Sequence, residues 1–302
     1  MTSRVDIAPK KKRRNWTPFI LLLPAFILVG GIIIYPIFNA VYTSFFYYNM
    51  TDFKNIHFVG LQNYIDVWKD EAFLASLGNT VKWVVITVIF QFVLGLLLAM
   101  LLNRTFHGRG LVRSICFIPW VTPSVVIALI WSWIYNGNFG ILNVILRKLG
   151  LITENIAWLS NAKVVLYSEI VTMVWQGLPF FTIMILASFQ TVPDALYEAA
   201  DVEGATEWKK FCCITWPHIL PTVVTTMLLR VIWVFNNVDV LYLMSGGGPG
   251  YSSMTLSLNA YIKAQKSLNF GYGSTIAVYG TIIILVFMSI YIRVTDKMKG
   301  ED

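Results

Sequence analysis

Six apolar runs alternate along the chain with short polar pieces: Phe19–Tyr42, Trp83–Leu102, Ser114–Tyr135, Ile170–Val192, Ile219–Val238 (interrupted only by Arg230) and Tyr272–Ile292. Each is long enough for the roughly 20 helical residues that cross a hydrocarbon core. Prolines 24, 36, 119, 123 and 179 fall inside or at the rims of these runs. Membrane helices tolerate them where neighbours or water satisfy the freed carbonyls. Between the first two runs, FVGLQNYIDVWKDEAF reads as a short amphipathic helix at the membrane interface. The predicted architecture is an all-α integral membrane protein. It has a basic tail over 1–18, a six-helix domain over 19–302, and a polar loop at 191–218 between the fourth and fifth spans.

Composition strengthens that reading. Of 302 residues, 57% are hydrophobic and 13% charged, where a soluble domain carries about 25% charged residues. The net charge of +7 does not point to nucleic acid, because most lysines and arginines flank apolar runs and leave no aromatic-basic surface for bases. The basic residues also orient the spans. Placing Arg4, Lys10–Arg14 and the 191–218 loop inside puts fourteen Lys and Arg in the cytoplasm against seven outside, with Lys82 and Arg230 left in spans. That bias predicts a multi-pass membrane protein with both termini cytoplasmic. The first run is too long for a cleaved leader. The loop at 136–163 and the GGGPGYSS turn (Gly246–Ser253) are then external.

Chemistry is sparse. Cys116, Cys212 and Cys213 show no metal spacing, and His57, His107 and His218 form no cluster. No P-loop, nucleophile elbow or dinucleotide fingerprint is present. The chain therefore lacks the means to hydrolyse ATP by the P-loop route, and no catalytic residue, metal ligand or cofactor is expected in it.

One segment breaks the lipid-soluble pattern: EAADVEGATEWKKFCCITWPHILP, Glu198–Pro221. Thr191 reads as an N-cap with Asp194 three residues on, and Pro193 suits a first turn. Ala195, Leu196, Ala199 and Ala200 form a mostly small stripe at helical spacing. Such a face lets another protein approach the backbone closely, while Glu198, Asp201, Glu203 and Glu207 keep the helix out of lipid. Gly204 should end this helix in the left-handed region. Thr206 should cap a second helix over Glu207–Thr215, stopped by Pro217 and Pro221, with Pro221 opening the fifth span.

This segment resembles the cytoplasmic EAA loop of permease subunits in binding-protein-dependent ABC importers, whose pattern runs EAA, three residues, G, then I-x-x-P. Glu198, Ala199, Ala200, Gly204, Ile214, Pro217 and Pro221 stand at its positions, with Asp201 inside it, and Trp216 replaces a common leucine. LLLPAFILVGGIIIYPIFNAVYTSFFYYN, FVGLQNY, RVIWVFNNVDVLYLMSGGGPGYSS and NFGYGSTIAV resemble successive parts of the sugar-transporting, maltose- or lactose-type branch. The resemblance implies a type I importer permease fold in a bacterial cytoplasmic (inner) membrane and a coupling helix seated in an ATPase subunit. It also implies a second homologous permease, two ATP-binding subunits that hold the ATP and magnesium, an external solute-binding protein, and a sugar as substrate.

A solute path needs polar groups inside the spans, where they are costly and default to function. Arg230 lies roughly 13.5 Å along a helix from Pro221, near mid-membrane. Arg230, Trp233, Val234 and Asn237 share one helix face by spacing. A guanidinium, an indole and an amide suit a polyhydroxylated ring. The same positions, with Asn236, match the family's sugar-lining region. Asp239 lies further out, Gln176 is a further candidate, and Gln91 reads as structural. The alternative is helix–helix hydrogen bonding. A self-contained secondary transporter or channel would instead need internal repeats and a deep coupling acid, for which only Asp239 is a candidate. A membrane enzyme would need clustered ligands or nucleophiles, which are absent.

Overall fold

The computed structural model describes residues 17–299. The basic tail expected over 1–18, with Arg4 and Lys10–Arg14, lies almost wholly outside them. The first apolar run forms α1 (Thr17–Val29) and α2 (Tyr35–Thr43), joined through a π-helical turn at Gly30–Ile34. None of its apolar window is buried within the chain. Just past its C-terminal end, Thr275 Oγ1 donates to Ser44 O at 3.2 Å.

The loop that follows holds a two-stranded hairpin, β1 (Phe46–Tyr47) with β2 (His57–Phe58). The expected amphipathic helix is the short α3 (Gln62–Asp66) and a 3-10 turn. Asp70 then accepts from the Ala72 N–H at 2.9 Å and so caps α4 (Glu71–Asn103). That cap starts the helix three turns before the apolar run. At 33 residues α4 is about 50 Å long, well beyond the bilayer core.

The third run is not one straight span. It forms α5 (Arg109–Val121) and α6 (Ser124–Ile134), bent by 97°. Pro123 disfavours helical geometry at the residue before it, and Thr122 takes φ −77°, ψ 129°. Among the described residues, five helices are long and apolar enough to cross a membrane, or six if this bent pair counts as one. Beyond α7 (Ile141–Lys148), α8 (Val165–Phe189) starts five residues earlier than the run suggested.

The fifth span corrects the sequence reading most. α9 (Asp194–Val202) is followed by α10 (Glu207–Lys210), a π-helical turn at Phe211–Thr215 and α11 (Trp216–Phe235), which run as one continuous helix. Pro217 and Pro221 do not stop it. Pro217 falls at the start of α11, where the looser hydrogen bonding of the π turn ends and the missing proline N–H is accommodated. The helix breaks instead at 236–238, before α12 (Asp239–Met244), α13 (Leu256–Tyr261) and α14 (Phe270–Lys299). The core lies between α4, α8 and α11 and includes Trp83, Met173, Phe181, Ile185 and Val234.

Candidate functional site

Apart from the helix running on through Pro217 and Pro221, the 191–218 loop departs from its local signals at Thr191. Thr191 does not cap α9. Its hydroxyl donates to Ser188 O at 2.8 Å, closing the turn after α8, and Pro193 occupies the N-cap without a side-chain bond. At the other end Gly204 takes φ 72°. Ala205 N donates to Ala200 O (2.9 Å) and Gly204 N to Asp201 O (3.0 Å), the paired bonds of a Schellman stop. Thr206 caps the next helix by accepting from Lys209 N.

No residue of α9 is buried within the chain. Its hold on the bundle comes from side chains. The Tyr197 hydroxyl meets Thr215 Oγ1 at 2.8 Å, and Lys210 pairs with Asp201 and, at 2.8 Å, with Glu207. Glu198 and Ala199 face outward, Val202 is 90% exposed and Trp208 72%. Isolated apolar residues on a surface mean little. Here they border the alanine face of a helix with nothing packed on it.

Within the membrane, Arg230 is only 2% exposed. Its Nε donates to Gln91 Oε1 at 2.9 Å, and Gln91 Nε2 donates to Met173 O at 2.6 Å, so one amide ties α4, α8 and α11. The guanidinium carbon lies 5.6 Å from the Trp120 ring, 5.9 Å from Phe180 and 6.0 Å from Trp233. The three rings contact one another at 5.0 to 5.8 Å. The guanidinium packs on Gly177, where any Cβ would overlap Gln91 Nε2 and Arg230 Nη2. Nη2 has no hydrogen-bond partner, and among the described residues no carboxylate pairs with Arg230.

The expected stripe is therefore only partly one face. Arg230 lies under aromatic rings rather than open to a cavity, and Trp233 is partly open. Val234 is wholly in the core, its carbonyl accepting from Trp83 Nε1 at 2.9 Å. Asn236 is exposed and donates to Ile232 O at 2.9 Å. This bond back to the preceding turn accompanies the end of α11, so Asn237 and Asp239 leave the helical register. Asn237 Oδ1 and Gln176 Oε1 are buried without partners. Trp120 and Phe180 were missed because they come from α5 and α8, and no spacing on α11 points to them.

Glu169 was missed for another reason. It sits one residue before the expected fourth span and was excluded from the acids inside the membrane domain. In the structure it is fully buried in α8. Neither carboxylate oxygen has a hydrogen-bond partner in good geometry. Ser245 and Ser253, whose hydroxyls lie 2.8 Å apart, are beside it. These serines bracket the Gly246–Ser253 turn, which Asn79 Nδ2 fastens to α4 by donating to Tyr251 O (2.8 Å) and Met254 O (3.1 Å). Among the described residues no group of His, Cys, Asp and Glu could hold a metal ion.

Comparison with known proteins places this geometry in a family. The model for the binding-protein-dependent transport system inner membrane component matches residues 91–300. The sulfoquinovosyl glycerol transport system permease protein SmoG of Agrobacterium fabrum is 36% identical over 96% of both chains. The trehalose/maltose transport system permease protein MalF of Thermococcus litoralis is 33% identical over 94% of this chain and 95% of its own. A chain of a bacterial ABC transporter involved in import of the acidic polysaccharide alginate superposes with a TM-score of 0.81 at 21% identity, covering 94% of this chain and 96% of that one. The last likeness carries the fold, that of a type I importer permease. The matched family model and the near-full-length relatives together establish that this chain belongs to the binding-protein-dependent transport system inner membrane components, as a permease subunit of an ABC importer.

Proposed function

We propose that this permease carries a sugar and is driven from outside its own sequence, through α9. The observation that carries the second part is a capped, side-chain-anchored helix with no buried residue, in a chain without a P-loop. Its alanine face and the neighbouring Val202 and Trp208 suit the groove of an ATP-binding subunit. Glu198, Ala199, Ala200, Asp201 and Gly204 form or end the docking helix, and Pro217 and Pro221 lie in the helix that receives it. Two ATP-binding subunits hold the ATP and magnesium, and this chain needs no cofactor. A second homologous permease completes the path, and an external solute-binding protein delivers the substrate. The excess of Lys and Arg on the α9 side argues for cytoplasmic termini. Support for a sugar comes from relatives named for sulfoquinovosyl glycerol, trehalose/maltose and alginate, and from Arg230, Trp233, Asn236 and Asn237 beside an aromatic platform. The reading as a self-contained secondary transporter lapses with the family assignment.

The test is Gly204→Val in the reconstituted transporter. No atom lies within 4 Å of the added Cβ position, so the effect is confined to the backbone. A left-handed residue with a side chain costs about 1–2 kcal/mol, enough to re-aim the end of α9. Sugar-stimulated ATP hydrolysis is expected to fall severalfold while the subunits still assemble. Unchanged hydrolysis in both Gly204→Val and Glu198→Lys would refute the coupling role.

A further inference from the structure

Arg230 is more charge than its contacts require. A single bond to Gln91 Oε1 could be made by a neutral amide or hydroxyl. Burying a cation away from water is strongly unfavourable unless it is paired and its donors are used. Here the compensation is one bond and three aromatic faces. The charge has no counter-ion among the described residues, and Nη2 has no acceptor. Two more buried polar atoms lack a partner along α8 and α11: Gln176 Oε1, one position before Gly177 in sequence, and Asn237 Oδ1, just past the end of α11. Buried polar groups are nearly always satisfied, so an unpaired guanidinium with a free donor marks a place where a partner is missing. The ring that leads to it is Trp233, 43% exposed while the guanidinium behind it is almost fully covered.

We propose that the transported sugar bears an anionic group, a carboxylate or a sulfonate, and that Arg230 is the residue that selects it. This rests on the sugar-permease reading and names the substrate class within it. The sugar ring stacks on the open face of Trp233. When the rings of Trp120, Phe180 and Trp233 part, the oxyanion takes the free guanidinium donors, and ring hydroxyls take the amides of Gln176 and Asn237. Arginine suits this role because its planar fork matches an oxyanion with two parallel bonds. A neutral sugar can stack but leaves the buried charge unpaired. Sites built around such a bond reject the analogue that lacks it by large factors.

The experiment uses the complete membrane complex of this chain with its partner permease and ATP-binding subunits, without the solute-binding protein, whose own preference would otherwise enter. Equilibrium binding is measured for disaccharides ending in glucuronic, galacturonic or mannuronic acid, each beside its neutral parent. A 6-sulfonated methyl glucoside is measured beside methyl glucoside. The expected result is that at least one acidic member binds about a hundredfold or more tighter than its parent, the uronic and sulfonate arms telling carboxylate from sulfonate. Arg230→Gln should abolish that preference, with the acidic member losing far more affinity than its neutral parent, and Arg230→Lys should restore part of it. A selective loss of the acidic member's advantage, with the neutral parent still bound, cannot arise from misfolding. If Arg230→Gln does not assemble, the wild type still decides, since equal binding of acidic and neutral members overturns the proposal. Binding of neutral sugars alone overturns it but leaves the sugar-permease reading standing. Binding of no saccharide by the assembled complex overturns both.

Discussion

Gly177→Ala adds one methyl group at the junction of α4, α8 and α11, and its effect can be worked out from the contacts. The methyl would overlap Gln91 Nε2 and Arg230 Nη2. Both are ends of long side chains, which elsewhere could swing away. Here Gln91 is fully buried and spends both ends of its amide, on Met173 O and on Arg230 Nε, and three rings surround the guanidinium. Relief therefore means strain of about 1–3 kcal/mol from overpacking, or loss of a hydrogen bond from a charged group, about 1.5–3 kcal/mol. One of the two suffices, so the gross penalty is about 2–3 kcal/mol. Alanine's better helix propensity returns about 1 kcal/mol. The net destabilisation expected is about 1–2 kcal/mol, a five- to thirtyfold shift of the folding equilibrium. Thermal unfolding of the purified complex measures it, with Gly78→Ala as control, because that glycine has nothing within 4 Å. A cycle with Gln91→Ala makes the test sharper. Removing the amide gives the methyl room, so the double variant should be more stable than the sum of the single effects by about 1 kcal/mol. Equal behaviour of Gly177→Ala and Gly78→Ala, or an additive cycle, would refute the close-contact argument.

Two other sites give independent tests. Glu169→Gln keeps the shape of a buried side chain whose carboxylate oxygens have no good partner, and removes the possibility of an unpaired buried charge. It should leave thermal stability unchanged or raise it, while Glu169→Lys should prevent assembly, and a large loss in the glutamine variant would mean that the serines depend on the carboxylate. Outside the spans, burial alone would push the Asp70 carboxyl up, but the Lys263 ammonium at 2.7 Å, the Ala72 N–H and the Tyr272 hydroxyl outweigh it and hold it below the usual carboxylate range. A lowered folded-state value means that this tie is present above the unfolded carboxylate value, about 3.9, and is lost as pH falls through the folded one. Stability should therefore drop on acidification from about pH 4 downward, less steeply in Asp70→Asn, and parallel pH profiles for the two proteins would refute the assignment.

What the sequence made legible depended on how far each signal reaches. Span positions were readable because an apolar run answers to the thickness of the bilayer, whatever packs beside it. The Schellman stop at Gly204 and the cap at Thr206 were readable because every atom involved lies within a few residues. Proline was a poorer guide. Pro119, Pro179 and Pro221 lie inside helices, whereas Pro123 marks a 97° bend. The difference rests on Thr122 being free to extend before Pro123, and on the π turn that lets α11 continue past Pro217. The surroundings of Arg230 were out of reach for a third reason. Its lid comes from α5 and α8, and its one hydrogen-bond partner from α4, 139 positions away in sequence.

The fifth span can now be described as a mechanical element. Among the described residues, α9 is tied to the next helix by links of two kinds, an ion pair from Asp201 to Lys210 and a hydroxyl pair from Tyr197 to Thr215. Both end on the first turns of the helix that carries Arg230. From Glu207 to Arg230 that helix is unbroken for about 35 Å, and between them lie the π turn and both prolines. A proline removes one rung of the hydrogen-bond ladder, and a π turn loosens its register, so stiffness is lowest from the Thr215 link up to Pro221. On the proposed reading, a push on α9 therefore tilts the long helix about Phe211–Pro221 rather than sliding it. The rigid segment beyond the soft point ends at Trp233 and Val234. Trp233 is one of the three rings over Arg230, whereas Val234 is fixed in the core through Trp83. A tilt with one side held moves the other side most, which places the largest displacement at the aromatic lid.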